Sequence, residues 1–216
     1  MLKTLVKASA LTNLTDARYF AALEAKWLGF CLDPDSPDFV PFAQVKSIGE
    51  WVDSVALVGE FGGQDLSYII QATEALQLDA IQLSQPLAVE DLLKLPRVPI
   101  IQELTPSHDI TSGELRAQLM AYGPHISYFL LDFTRHALSW EEVKEKDAPL
   151  PVGLLRSFCN EYPILLAFDW TPANLEEILY HIDPSGISIK GGAEEKVGVK
   201  SFEEIDGLLE ILEIDD

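Results

Sequence analysis

Lys7 and Ser9 are the first pair of side chains in the sequence that could do chemistry together. Ser9 follows the β-rich run Thr4–Ala8 directly, and Lys7 stands two residues before it. Because side chains two apart on a strand point to the same face, the amine and the hydroxyl are expected to be neighbours. An amine beside a hydroxyl can activate it for proton or group transfer. The alternative is that Lys7 forms a salt bridge with a carboxylate inside the protein.

Carboxylates at or just beyond the ends of apolar runs form a second candidate group. They are Asp33, Asp38, Glu60, Glu103, Asp132 and Asp169. Gathered at one surface, they could bind a divalent cation or a cationic ligand, since hard cations prefer oxygen ligands. The alternative is chance, because a chain with 35 acidic residues places carboxylates near any loop surface.

Histidine and cysteine give little indication of a metal or redox site. The histidines at 108, 125, 136 and 181 lack metal-ligand spacing. The two cysteines, Cys31 and Cys159, lie too far apart in sequence to suggest a disulfide framework. We therefore predict no metal and no cofactor, and His136 alone is a candidate replacement proton carrier or else a surface residue.

The elements that must position these residues alternate between strands and helices. Apolar or β-rich runs occur near Thr4–Ala8, Trp27–Leu32, Ser54–Phe61, Asp79–Leu83, Val98–Leu104, Ile126–Asp132, Tyr162–Phe168 and Gly186–Lys190. The segments between them have helical spacing and helix start signals, including Asn13 before a helix predicted to run through Ala25, and Ser201 before the last helix. Eight such units predict a single-domain α/β fold over residues 1–216, a (β/α)8 TIM barrel. An open doubly wound sheet is the alternative.

Composition and charge restrict the partners. The 15 basic and 35 acidic residues give a formal charge of -20. Such a surface repels nucleic acid and anionic membranes, so neither is expected as a partner. No apolar run is long enough to span a bilayer and the N-terminus does not resemble a signal peptide, so we expect a cytoplasmic protein, monomeric or homodimeric, that binds a small molecule.

A series of motifs in fixed order resembles the phosphoribosylanthranilate isomerase family over nearly the whole chain. They are Val6-Lys7-Ala8-Ser9-Ala10-Leu11-Thr12 with Asp16-Ala17, Leu28-Gly29-Phe30 with Asp35-Ser36-Pro37-Asp38-Phe39-Val40, Leu78-Asp79-Ala80-Ile81-Gln82-Leu83, Leu130-Leu131-Asp132, Pro172-Ala173-Asn174-Leu175, and Gly191-Gly192-Ala193-Glu194 with Gly198-Val199-Lys200. The resemblance implies a single (β/α)8 barrel of tryptophan biosynthesis. Its ligand is expected at the C-terminal mouth of the barrel.

The resemblance also implies a reaction and site residues. The family carries out an Amadori rearrangement, in which a base removes a proton at C2, an acid protonates the ring oxygen and a clamp holds the phosphate. The acid position is Asp132, and the base position, a cysteine in the family, is Ser9. The substrate-binding positions include Gln82, in the motif that ends the fourth strand.

Several positions depart from the family pattern. Asp38 replaces the arginine that holds the anthranilate carboxylate, and Asp169 follows the bulky Phe168 where the family has glycines for the phosphate. No glycine follows Asp132. Only Gly191-Gly192, with Lys190 as a nearby cation, keeps the possibility of a backbone anion site.

Three hypotheses follow from these observations. The first is an isomerase-family protein with a diverged site, in which Asp132 is the acid and Ser9 or Lys7 takes the base position. The second is a non-catalytic barrel that binds an unphosphorylated or cationic small molecule, or a protein partner. The third is an enzyme for a changed sugar or amine substrate that uses Lys7, Lys190 and Asp132.

Overall fold

Eight parallel strands close into a barrel, as the alternating pattern predicts. The computed structural model describes residues 2–52, 55–191, 194–196, 199–200 and 203–213. The strands are β1 (Leu5–Ser9), β2 (Trp27–Cys31), β3 (Ala56–Phe61), β4 (Ala80–Leu83), β5 (Ile100–Leu104), β6 (Tyr128–Asp132), β7 (Ile164–Ala167) and β8 (Gly186–Lys190). Each lies within or beside a predicted run. The barrel closes through β1 and β8, where Ser9 is in register with Lys190.

Helices connect the strands on the outside of the barrel. They are α1 (Leu14–Ala22), α2 (Phe42–Gly49), α3 (Leu66–Leu76), α4 (Val89–Leu92), α5 (Ser112–Tyr122), α6 (Trp140–Lys144), α7 (Val152–Glu161), α8 (Pro172–Ile182) and α9 (Glu203–Leu212), with 3-10 turns at Gly123–His125 and Thr134–His136. The predicted cap Asn13 accepts a hydrogen bond from the Asp16 N–H. Helix α1 ends at Ala22 rather than Ala25, and the predicted helix start at Ser201 lies outside the described residues.

A short antiparallel pair of strands follows the barrel. Strand β9 (Glu194–Lys196) pairs with β10 (Val199–Lys200). The sequence motifs at this place predict no strands, so this hairpin is an addition to the predicted fold.

The inside of the barrel changes from apolar to polar towards the C-terminal ends of the strands. A buried apolar cluster fills the interior: Trp27, Val58, Ala80, Ile101, Leu130, Leu165 and Ala167. Two residues further along four of these strands stand Glu60, Gln82, Glu103 and Asp132, which face a cavity. Because side chains alternate along a strand, a shift of two residues moves from the apolar interior to the mouth on the same face.

The outward faces of the strands pack against the helices. Phe20 of α1, Ile69 of α3 and Leu175 of α8 are buried in the larger cluster between helices and barrel. Phe158 of α7 belongs to a second cluster beside β6 and β7. In the described part of the chain no helix is long and apolar enough to cross a membrane.

Candidate active site

A cavity of about 720 Å³ opens at the C-terminal mouth of the barrel. Its lining includes Ser9, Asp38, Gln82, Asp132, Asp169, Lys190 and Gly191 from the predicted site and Glu60 and Glu103 from the predicted carboxylate group, together with Thr134, Arg135, Trp170 and Ser188. Residues far apart in sequence meet here because parallel strands bring all their C-terminal ends to one side. The structure therefore places most of the predicted site residues in one pocket.

Lys7 lies beneath the cavity and joins β1 to β3. Its ammonium group forms a short ion pair with Glu60 and donates a hydrogen bond of 2.6 Å to Ser9 Oγ. Ser9 Oγ lies 2.6 Å from Ser188 Oγ, and the Ala10 N–H donates to Glu60 Oε2 at 3.1 Å. The two alternatives that the sequence leaves open for Lys7, the hydroxyl and the carboxylate, are thus present together.

A second polar group lies at the ends of β4 and β5. Gln82 Nε2 and Ser84 Oγ both donate to Glu103 Oε2, the former at 2.8 Å. Gln82 and Glu103 are 4% and 3% exposed. Gln82 Oε1 and Glu103 Oε1 have no hydrogen-bond partner among the described residues. This side of the mouth therefore holds acceptors that lack donors.

Arg135 is the cation that faces these carboxylates. Its Nε lies 3.4 Å from Glu103 Oε1 and 3.5 Å from Asp132 Oδ2. Partial burial alone would lower the pKa of the guanidinium, but the neighbouring charges of Glu103 and Asp132 outweigh it and raise that pKa above its ordinary value. Sequence analysis missed Arg135, although its place three residues after Asp132 was the available signal.

Asp132 also accepts hydrogen bonds from the loop that follows it. Its Oδ1 accepts hydrogen bonds from the Thr134 N–H at 2.9 Å and from the Thr134 hydroxyl at 2.6 Å. These bonds hold the 3-10 turn that carries Arg135. The carboxylate expected as the acid is therefore also the anchor of the loop after β6.

Lys190 and Asp38 pair across the mouth. Lys190 Nζ lies 2.8 Å from Asp38 Oδ2, so the charge that replaces the family's arginine is balanced by the lysine that ends β8. The Gly191 N–H donates to the Ser9 carbonyl at 3.2 Å and is already occupied. The expected anion site at Gly191-Gly192 is thus not supported at Gly191, while Gly192 lies outside the described residues.

Aromatic rings fill the region after β7. Phe168 is buried and stacks on Phe133 with ring centroids 4.3 Å apart, and it makes edge contacts with Trp140 and Trp170. Trp170 lines the cavity and donates from Nε1 to the Ser188 carbonyl at 2.8 Å. The N-terminus of α8 is closed by a reciprocal cap between Thr171 and Asn174. Aromatic side chains therefore occupy the place where the family pattern has glycines.

Two other candidate residues, His136 and Asp33, and the thiol of Cys31 lie outside the lining of the cavity. His136 is exposed on the 3-10 turn, and Asp33 instead accepts from the Asp35 N–H in its own loop. Neither they nor Cys31 line the cavity, and burial raises the pKa of the Cys31 thiol. Among the described residues no three histidine, cysteine or acidic side chains are grouped to hold a metal ion.

Comparison with known proteins decides the family. The family model for N-(5'-phosphoribosyl)anthranilate isomerase matches residues 6–210. The chain belongs to this family. The match extends from β1 into α9, so the sequence resemblance holds over the whole barrel.

Individual relatives agree with the family model. The chain is 29% identical to the N-(5'-phosphoribosyl)anthranilate isomerase of Synechococcus sp. strain JA-3-3Ab, with 96% of this chain and 90% of the relative covered. It is also 29% identical to that of Maridesulfovibrio salexigens, with 91% and 92% covered. The solved phosphoribosylanthranilate isomerase of Thermus thermophilus superimposes with a TM-score of 0.75 at 26% identity, covering 96% and 98% of the two chains.

The mouth of this phosphoribosylanthranilate isomerase-like barrel is acidic. Five carboxylates line the cavity (Asp38, Glu60, Glu103, Asp132 and Asp169) and two cations do so (Arg135 and Lys190). With the buried Lys7 below them, five negative charges face three positive ones. Among the described side chains each of these three cations is already paired with a lining carboxylate. Such a lining attracts ligands that carry positive charge and hydrogen-bond donors.

Proposed function

We propose that the barrel binds, at its C-terminal mouth, a polar small molecule that lacks a phosphate group and carries an amine, and that it does not turn over phosphoribosylanthranilate. The observation that carries this proposal is the charge of the lining, where five carboxylates outnumber the cations and hold them in ion pairs. The phosphate and carboxylate of phosphoribosylanthranilate would have to bind among these negative charges. Among the described side chains, the cations of the lining are already in ion pairs.

The local backbone supports the same conclusion. Phosphate sites in proteins use free N–H groups of loops or helix N-termini. Here the Gly191 N–H is bonded to Ser9, and the first turn of α8 is capped by Thr171 and Asn174. Asp169 adds a negative charge to the connection between β7 and α8. These contacts favour an unphosphorylated ligand.

A matched set of sugars tests the ligand class. Glucosamine, glucose and glucosamine 6-phosphate differ in the amine and the phosphate only, and binding is measured by isothermal titration and by the melting temperature. We expect glucosamine to bind most tightly and the phosphorylated sugar least. The proposal is wrong if the phosphate strengthens binding.

Turnover of phosphoribosylanthranilate is the second half of the test. The loss of substrate fluorescence is followed at high protein concentration, with Asp132→Asn as the matched control. We expect the same rate for both proteins and for buffer. Turnover that requires Asp132 would instead assign the family's reaction to this chain.

A second candidate function keeps the family's reaction type on a changed sugar or amine substrate. Ser9 and Asp132 line one cavity, and Lys7 donates to the Ser9 hydroxyl at 2.6 Å, which favours this candidate. Asp132 would give a proton to the ring oxygen. Ser9 Oγ would take the proton from C2 while its own proton passes to Lys7, which in turn gives a proton to the Glu60 carboxylate as the final acceptor. Lys7 would position Ser9, and Lys190 would contact the substrate from the rim. Exchange of the C2 proton of glucosylamine, which carries its amine on C1 as the rearrangement requires, in D2O and its loss in Asp132→Asn are the expected signature.

A further inference from the structure

We infer that Gln82 and Glu103 form the subsite for an ammonium group of the ligand, and that Arg135 is a tethered cation that the ligand displaces. The inference rests on the proposed function, because it names the residues that hold the ligand's amine. It adds that the Arg135 side chain and the ligand's ammonium group compete for the same position beside Glu103.

The first observation is the fixed orientation of Gln82. A carboxylate only accepts hydrogen bonds, so Gln82 must present its Nε2 to Glu103 Oε2, at 2.8 Å. Its Oε1 is then left without a donor among the described residues, in a side chain that is 4% exposed and lines the cavity. A buried acceptor without a donor raises the free energy of the empty site, and a ligand N–H would relieve this.

The second observation concerns the unequal oxygens of Glu103. Oε2 accepts two hydrogen bonds, whereas Oε1 accepts none among the described residues. The nearest cation, Arg135, stands 3.4 Å from Oε1, beyond the usual 2.7–3.2 Å of an N–H···O bond. Arg135 therefore neutralises this carboxylate mainly by charge, through a contact that is long for a hydrogen bond.

Arg135 is placed to leave this position. Its side chain is 62% exposed and stands on the 3-10 turn after β6. Its Nε lies 3.5 Å from Asp132 Oδ2, so one nitrogen between Glu103 and Asp132 is within ion-pair distance of both carboxylates. An ammonium has three N–H donors, which match Gln82 Oε1, Glu103 Oε1 and Asp132 Oδ2 in number and kind. The guanidinium and an ammonium cannot occupy this position together.

Removal of the tethered cation provides the test. Propylammonium is the probe, 1-propanol is its neutral control, and binding is measured by isothermal titration to the full chain. We expect Arg135→Ala to bind propylammonium about tenfold more tightly than the wild type, and to bind 1-propanol no better. Arg97→Ala removes an exposed arginine from the connection before β5, at the opposite end of the barrel, and is expected to leave both affinities unchanged.

Variants of the Glu103 carboxylate provide the second part of the test. In the Arg135→Ala background, Glu103→Gln keeps the size of the side chain but removes its charge, and we expect it to cancel the gain for propylammonium. Asp132→Asn in the same background is expected to reduce the gain, and it keeps the test valid if Glu103→Gln fails to fold. Equal binding to wild type and Arg135→Ala, or a gain that survives both carboxylate substitutions, overturns the inference.

The two proposals fail in different ways. If the wild type binds glucosamine better than its 6-phosphate but the Arg135 and Glu103 variants change nothing, only the ammonium subsite is wrong. If the wild type binds the 6-phosphate better, the proposed function itself is wrong.

Discussion

Lys7 Nζ donates a hydrogen bond to Ser9 Oγ across 2.6 Å while it is paired with Glu60. An ammonium in this position has no lone pair with which to take the proton of Ser9. Ser9 Oγ and Ser188 Oγ lie 2.6 Å apart, and either hydroxyl can donate in the bond between them. The arrangement is a chain of hydrogen bonds that begins at a buried cation and ends at the wall of the cavity. Bonds in such a chain polarise one another, so the two hydroxyls at the cavity wall are coupled to the Lys7 ammonium.

Gly29 gives this ion pair its space, and a methyl group there is predicted to destabilise the barrel. A Cβ added at Gly29 would overlap the Glu60 carboxylate and lie 2.8 Å from Lys7 Nζ. We expect Gly29→Ala to lower the free energy of unfolding by about 3 kcal/mol, through overpacking and disturbance of a buried pair. Urea denaturation followed by circular dichroism measures this.

Gly153→Ala is the matched control for that substitution. Gly153 lies in α7, and a Cβ added there has no atom within 4 Å. Alanine at this place is expected to raise the free energy of unfolding by about 0.5–1 kcal/mol, because it lowers the conformational freedom of the unfolded chain. Equal effects at the two glycines would contradict the role given to Gly29.

The Lys7–Glu60 pair is predicted to be strongly coupled. Lys7 is fully buried, and Glu60 is 9% exposed. Lys7→Met leaves the Glu60 carboxylate without its cation and is expected to cost about 3–5 kcal/mol. Adding Glu60→Gln removes the uncompensated charge and should recover part of that loss. A double-mutant cycle in urea measures the coupling, and strictly additive effects would show that the two groups act independently.

The barrel and the location of its mouth could be predicted from local sequence, because each strand is an apolar run between turn residues. Ser9, Gln82 and Asp132 could be placed at the mouth for the same reason, since each is the last residue of a strand or the residue before it. Once parallel pairing is assumed, the topology alone brings these ends together.

The partners of these side chains could not be predicted. Lys190 meets Asp38, 152 residues away, because Lys190 ends β8, Asp38 follows β2, and these two strands flank β1 in the closed barrel. Arg135 reaches Glu103 through the shape of a 3-10 turn and its own side-chain conformation. Such pairings depend on register and side-chain geometry around the closed barrel, and no local periodicity encodes either.

The Lys190–Asp38 pair leads to a prediction about anions. Asp38→Asn releases the Lys190 ammonium from its partner at 2.8 Å and removes one of the five carboxylates of the lining. Exposed ion pairs are worth at most about 1 kcal/mol, so we expect sulfate to bind a few-fold more tightly than in the wild type. Sulfate titration followed by the melting temperature measures the change. In the double variant Asp38→Asn/Lys190→Gln the gain should disappear; if it persists, Lys190 is not its source.

The reciprocal cap of α6 predicts a pH dependence of stability. The Glu142 carboxylate accepts hydrogen bonds from the Ser139 hydroxyl at 2.6 Å and the Ser139 N–H at 2.8 Å, and His108 lies 3.0 Å away. These contacts, the Ser139 hydroxyl first, lower the pKa of Glu142 from 4.5 to about 2. A carboxyl whose pKa is lower in the folded protein stabilises it above the unfolded value, and this contribution is lost as the pH falls from 4.5 towards 2.

Glu142→Gln tests this dependence, because glutamine keeps an acceptor for the cap but does not titrate. We expect the variant to melt below the wild type at pH 7, and the difference to shrink between pH 4.5 and pH 2. Melting temperatures across this range measure it. Glu50→Gln, at an exposed position after α2, controls for the loss of one negative charge from a chain that carries a formal charge of -20. A difference between wild type and Glu142→Gln that stays constant with pH would mean that the charge of Glu142 does not contribute to the cap.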